Sequence, residues 1–424
     1  MRRSSAHTAT SLTKHAGTAG PGVRSRQAWG AAVAVALLAS AAPTAHASPA
    51  APTRPRVVDL GTLGGSESGV SAQNERGQVV GGSNTTNGTQ HAFSWTRGTG
   101  MVDLGTLGGD TSYATAVSST GQVTGYSNLF PGGGRLHGFS WTPTGGMVDI
   151  GALGGGESQP QAVSPSGQIV GSSTTCPGCD TGTSHAFSWT AAGGMVDLGT
   201  LGGPFSSARS VTPGGRVFGS SSTATGALHL FSWTPTTGMV DLGAPPGKED
   251  LQPLAANVSG DVVGFATRGG SAVGFAWSPR SGFADLGDLG GTVMLPLDVN
   301  EVGQATGYSG APDGSEHAFL WDPRGEGPKD LGTLGGGYSW GSAISNTGQV
   351  VGVSNPPGVV GFSHGAARHA FSWTKAAGMT DLGVVSGTIS GAVAVNAAGQ
   401  VAGNSMVNER RETHAVVWYT GPDF

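Results

Sequence analysis

The segment HAFSWTRGTGMVDLGTLGG at 91–109 returns as HAFSWTAAGGMVDLGTLGG at 185–203, and its parts recur along most of the chain. Repetition on this scale constrains the fold more than length does. A unit of about 45 residues cannot bury enough apolar surface to stand alone, so neighbouring copies must share a continuous core.

Four short elements recur in fixed order. The first ends at Asn74, Ser118, Ser164, Thr212, Asn257, Asn300, Ser345 and Asn396, each followed three residues later by a glycine, from Gly77 and Gly121 through to Gly399. A short polar residue at the start and a glycine free to take positive φ at the end mark a tight hairpin between two strands, here a and b. Strand b follows, as in GQVVG at 77–81. Strand c is HAFSW and its relatives, ending at Trp95, Trp141, Trp189, Trp233, Trp277, Trp321, Trp373 and Trp418. Strand d is MVDLG and its relatives, carrying Asp59, Asp103, Asp149, Asp197, Asp241, Asp285, Asp330 and Asp381. Short β-branched and aromatic runs between Gly, Pro, Asn and Ser make the chain all-β, and 77 glycines with 11% charged residues agree.

Four strands per repeat, with paired antiparallel turn signals, predict a β-propeller of four-stranded blades rather than a parallel β-helix, whose rungs are shorter. Alternation along strand c sends His91, Phe93 and Trp95 to one face and Ala92 and Ser94 to the other, so a bulky face can nest against the small face of the next blade. The repeat begins with an unmatched fourth strand at 56–60 and stops after a third strand at 414–418. Ring closure explains both: the N-terminal strand completes the last of eight blades and leaves no unpaired edge. Nearly all length variation lies between strands b and c, at 126–136, 172–184 and 353–368. These loops and the d-to-a connections emerge on one face, the short a–b and c–d turns on the other.

Ahead of the repeats, residues 1–47 carry five basic and no acidic residues, an apolar run at 31–39 and Ala45-His46-Ala47. This order is that of a secretory signal, and the apolar run is too short for a membrane anchor. The expected organisation is therefore a signal peptide at 1–47, a linker at 48–55 and one propeller at 56–424, secreted to the extracellular space as a monomer. Loss of the leader leaves 16 basic residues against 26 acidic, a net charge of −10, which disfavours nucleic acid and anionic membranes as partners. The two cysteines, Cys176 and Cys179, stand as CPGC in a b–c loop, where an oxidising compartment would close them into a local staple. A redox pair or half of a zinc site are the alternatives, but the strand-to-helix junction and further ligands they need are absent nearby.

The paired DLGTLGG and HAFSW motifs, with His-Ala-Phe at 91, 185, 317 and 369, resemble those of the extracellular HAF-repeat proteins of bacteria. The resemblance covers essentially the whole chain after the leader. It implies an exported repeat protein and carries no reaction, cofactor or ligand with it. Departures occur at Val273, which replaces the His, at Gly138 and Leu230 for the Ala, and at 244–246 in the DLG segment.

The repeated His and Asp invite a catalytic or metal-binding role. Each His lies on a different blade, however, and packed sheets sit about 10 Å apart, so the imidazoles cannot converge on one atom. His91, His185, His317 and His369, with Asp103, Asp197, Asp330 and Asp381, are expected to be structural, hydrogen-bonded to backbone or to Ser and Thr. The glycine-rich DLGTLGG lacks the helix N-terminus of a phosphate loop and reads as an inter-blade turn. No catalytic residue, metal or cofactor is assigned. The expected function is a non-enzymatic binding protein that presents its variable face to a glycan, a cell-wall polymer or a protein. The alternative is a propeller hydrolase or lyase with paired acids in the central funnel. Tyr338 and Trp340, beside the longest b–c loop, are the candidate ligand-binding pair, unless Trp340 starts strand a and packs between blades.

Overall fold

The computed structural model describes residues 55–154, 156–176, 183–360 and 366–420. The leader, the linker up to residue 54 and Cys179 lie outside the described residues. Among the described residues thirty-two strands group into eight antiparallel sets of four. Blades one to seven run 64–103, 112–151, 158–197, 202–243, 249–285, 294–330 and 339–383, each with hydrogen-bonded order a-b-c-d. Parallel bridges Ser184–Phe205, Glu316–Tyr338 and Arg368–Ile389 link blades three to four, six to seven and seven to eight.

The eighth blade takes strands a to c from 390–419 and its fourth from the other end of the chain. Strand Arg56–Asp59 pairs antiparallel with Thr413–Tyr419, Val57 opposite Trp418 and Asp59 opposite Val416. Leu60 N–H then donates to Ala415 O at 2.9 Å, as Leu104 does to Ala92 inside blade one. Strands a of adjacent blades touch around the complete circuit, the eighth against the first included, so they surround the axis and strands d form the rim.

What holds neighbours together is the size alternation along strand c. Phe139 of blade two packs on Val80 and Ala92 of blade one, and Phe93 of blade one packs on Ala402, Ala415 and Val417 of blade eight. Seven such phenylalanines, from Phe93 to Phe371, are fully buried, each stabilising by about 1.5–3 kcal/mol relative to exposure. The eighth blade places Val416 there, also fully buried.

The a–b turns carry the second set of inter-blade ties. Asn74 Oδ1 accepts the N–H groups of Arg76 and Gln78, and Asn74 Nδ2 donates to Ser118 O of the next blade at 2.9 Å. Asn257 and Asn300 repeat the contact to Asn300 O and Ser345 O. Gln78 Nε2 reaches Gly121 O of the next blade, and Gln400 Nε2 repeats that contact to Gly77 O at 3.3 Å across the closure. The turn glycines take the positive φ the spacing demands, +79° at Gly77 and +80° at Gly399. Strand a of every blade is also bulged at its midpoint, between Val70 and Ala72 in blade one and between Ala392 and Ala394 in blade eight. Such a bulge bends the strand and re-aims one side chain.

Candidate functional site

Each imidazole starts strand c and each Asp ends strand d, so the two meet on the b–c face. Nδ1 to carboxylate distances are 2.9 Å for His91–Asp103, 2.8 Å for His185–Asp197, 2.9 Å for His317–Asp330 and 2.7 Å for His369–Asp381. His137–Asp149, His229–Asp241 and His414–Asp59 complete seven pairs at 2.9 Å. The expected partners were backbone and hydroxyl groups, and the imidazoles instead take the carboxylates. The backbone part holds for Asp: Asp103 Oδ1 also accepts Gly105 N–H at 2.8 Å, which fixes the turn into the next blade. An ionised carboxylate only accepts, so Nδ1 carries the proton and Nε2 is left as the second ring nitrogen. His317 Nε2 faces the Ser315 hydroxyl at 3.3 Å. The pairs are half-exposed rather than buried, 22% and 43% for His91 and Asp103.

Blade five lacks the imidazole but not the interaction. Lys248, from the connection entering the blade, places Nζ 2.8 Å from Asp285 Oδ2, with its side chain only 6% exposed. Burial pushes the Asp285 carboxyl up. The hydrogen bonds from Lys248 and Gly287 N–H, with the charges of Lys248 and Arg268, outweigh it and hold the carboxyl below the ordinary value.

Two acids are raised instead. Burial lifts Asp298 against N–H donors from Ile344 and Val299, and lifts Glu301 against Val258 N–H, with Asp261, Asp298 and Glu75 adding like charge. Asp298 sits beyond the bulge of strand a in blade six and Glu301 in its a–b turn. Both therefore belong to the end of the ring opposite the variable loops; Asp298 spends both oxygens on backbone N–H groups and Glu301 spends Oε2 on Val258 N–H. Among the described residues no group of three or more His, Cys, Asp or Glu is placed to hold a metal ion.

Aromatic residues outside the repeat motif also stand on the b–c face. Trp340 is the second residue of strand Ser339–Ile344, which is strand a of blade seven, so it does begin that strand. Its indole stacks on Tyr308 of blade six at 4.9 Å and 26°, and its Nε1–H donates to Glu316 Oε2 at 2.9 Å. Burial, then the Glu316 charge, push the Tyr308 hydroxyl up. Tyr338 is half-buried beside it, and its carbonyl accepts from Asn355 N–H and Ser354 Oγ. In blade two Tyr113 stacks on Tyr126 at 5.9 Å and 26°. Sequence reasoning missed Tyr113, Tyr126, Tyr308 and Glu316. A signal was present: the chain has five tyrosines, and four of them, 113, 126, 308 and 338, fall at the b–c end of strands a and b. Cys176, in the b–c loop of blade three, is disulfide-bonded.

No family model matches the chain, and no curated protein matches it. Solved structures do. Puromycin hydrolase, in a mutant complexed with PGG, superimposes with a TM-score of 0.46 at 14% identity over 78% of this chain and 53% of that one. The β-propeller domain of the Trilobed protease of Pyrococcus furiosus gives 0.45 at 8% over 72% and 95%. Virginiamycin B lyase of Staphylococcus aureus gives 0.44 at 8% over 86% and 99%. The chain thus spans about half the length of the puromycin hydrolase. At such identities the likeness is one of propeller fold.

Proposed function

We propose that the chain is an exported HAF-repeat propeller that binds rather than transforms its ligand, presenting the b–c face to a glycan, a cell-wall polymer or a protein. One observation carries this reading: two aromatic stacks outside the repeat motif, Tyr308–Trp340 and Tyr113–Tyr126, stand there next to the loops that vary in length. Aromatic faces give large contact area at small entropic cost, and a rigid ring beneath variable loops is the usual placing of a recognition surface. The seven His–Asp pairs are occupied in holding turns, and the two raised acids lie at the other end of the ring. The ring works as a monomer outside the cell.

Saturable binding of the purified protein to immobilised glycans or insoluble cell-wall fractions tests the reading. A variant with 129–135 and 355–368 each replaced by the two-glycine hairpin of blade five, Gly269-Gly270, should melt within about 2 °C of the parent and lose that binding. No saturable binding to any fraction, or undiminished binding by the trimmed protein, refutes it.

A further inference from the structure

Repeat symmetry makes each inter-blade junction on the b–c face comparable with the others, and the surroundings of blade one differ from the junction of blades six and seven. At the boundary of blades six and seven, Tyr308 of strand b and Trp340 of the next strand a fill the space between them. The equivalent positions at the boundary of blades one and two are Gly82 and Tyr113. A Cβ on Gly82 would meet the edge carbons of the Tyr113 ring at 2.4 and 2.6 Å, so only glycine lets that ring lie where it does. Gly69, where blades two, three, six and seven carry Tyr113, Gln159, Leu295 and Trp340 and blade eight carries Gly391, removes a second side chain.

What results is a cleft of about 250 Å³ with Tyr113 as one wall and Glu67, Gln90 and Thr413 around it. Blade eight supplies Thr413, blade one Glu67 and Gln90, and blade two Tyr113, so the cleft exists only in the closed ring. Glu67 and Gln90 are exposed, and among the described residues the side chains of Glu67, Gln90 and Thr413 make no hydrogen bond. Their acceptor and donor capacity is uncommitted: a carboxylate that only accepts, an amide that does both, and a hydroxyl.

We propose that this cleft binds one neutral hexopyranose unit of a glycan, the sugar's C–H face on Tyr113 and its hydroxyls on Glu67, Gln90 and Thr413. The proposal rests on the binding reading above and locates its ligand site. The volume falls below the range of about 300–1,000 Å³ that holds drug-sized molecules, which suits a single ring. A carboxylate acceptor pairs with vicinal hydroxyls and repels uronic acids and phosphates. Tyr126 covers one side of Tyr113 as Tyr308 covers one side of Trp340, so the sugar meets the part of the Tyr113 ring that lines the cleft.

Isothermal titration with cellohexaose, maltohexaose, chitohexaose and polygalacturonate tests the site in the parent and in Tyr113→Ala, Tyr113→Phe, Glu67→Gln and Gln90→Ala. The expected result is binding of a neutral hexaose that Tyr113→Ala and Glu67→Gln each weaken by about tenfold or more, while Tyr113→Phe keeps it within about twofold. Gln90→Ala, at an exposed position, should weaken it without moving the melting temperature. Glycan or cell-wall binding that all four variants retain overturns the site and leaves the binding reading standing. Preference for polygalacturonate overturns the ligand class. Absence of binding to every oligosaccharide and every wall fraction overturns both.

Discussion

Ring closure makes a quantitative prediction at Leu60. Leu60 follows the N-terminal strand, is 7% exposed, and packs with Val70, Phe93, Ala415 and Val417 across the boundary of blades eight and one. Leu104 occupies the same place in blade one at 5% exposure. Truncating a buried Leu to Ala removes its transfer free energy and leaves a cavity, about 2–5 kcal/mol together. An unfolding entropy of about 2.1 cal/mol/K per residue gives a cooperative unit of roughly 370 residues about 0.8 kcal/mol/K, so a loss of about 3 kcal/mol lowers Tm by about 4 °C. Leu60→Ala and Leu104→Ala should therefore fall together in differential scanning calorimetry, each by about 4 °C, with matching shifts in urea midpoint. If Leu104→Ala falls and Leu60→Ala stays within about 1 °C, the N-terminal strand does not close the ring. A chain beginning at Gly61 would then melt like one beginning at Ser48.

The Lys248–Asp285 pair should show its sign in a pH series. A carboxyl held below its ordinary value stabilises above the unfolded pKa, about 3.9, and that contribution drains as pH falls through the lower folded value. Lys248→Met should thus melt slightly below the parent at pH 7, by about 1 kcal/mol or less because Asp285 is half-exposed, and the gap should close near the acid limit; a gap that widens on acidification counts against the pair. Asp298 should behave oppositely, since burial raises it: its contribution is complete below the unfolded value and is lost as pH rises toward the folded one. Its side-chain carboxyl carbon, followed by NMR, should titrate above the ordinary aspartate value, and a midpoint at or below about 3.9 would mean that the two N–H donors outweigh burial.

Blades, turns and closure were legible because each rests on a local cause repeated many times. A polar residue three before a glycine makes the a–b turn, alternation along HAFSW makes the nesting faces, and a lone fourth strand at the start with a last repeat that lacks its fourth makes the closure. Contacts between blades were less legible, because they depend on the offset between two sheets and not on spacing within one. Tyr338 and Trp340 are neighbours in sequence, yet the indole stacks on Tyr308, which belongs to another blade. Gly69 and Gly82 open a cleft, but among 77 glycines, many of them at turns, nothing in their local sequence distinguishes them. His91 and Asp103 lie on adjacent strands whose register is set by the c–d turn: Phe93 pairs with Asp103, which leaves the Asp side chain within reach of the ring two residues earlier.

Blade five shows what that repeated pair is for. If the imidazole were the functional group, replacing it by Val273 would simply leave a blade without it. The fold instead brings Lys248 from outside the repeat motif to the same carboxylate, and Asp285 still accepts Gly287 N–H at 3.0 Å, as Asp103 accepts Gly105 N–H. The requirement met in all eight blades is therefore a donor that fixes Asp in the position from which it holds the glycine turn into the next blade. Imidazole satisfies it seven times because it starts strand c two residues from the strand-d carboxylate, and ammonium satisfies it once from a longer connection. Conversion of blade five to Val273→His with Lys248→Ala should then restore a melting temperature that Lys248→Ala alone lowers, and failure of the histidine to rescue would show that the lysine does something the other seven blades do not need.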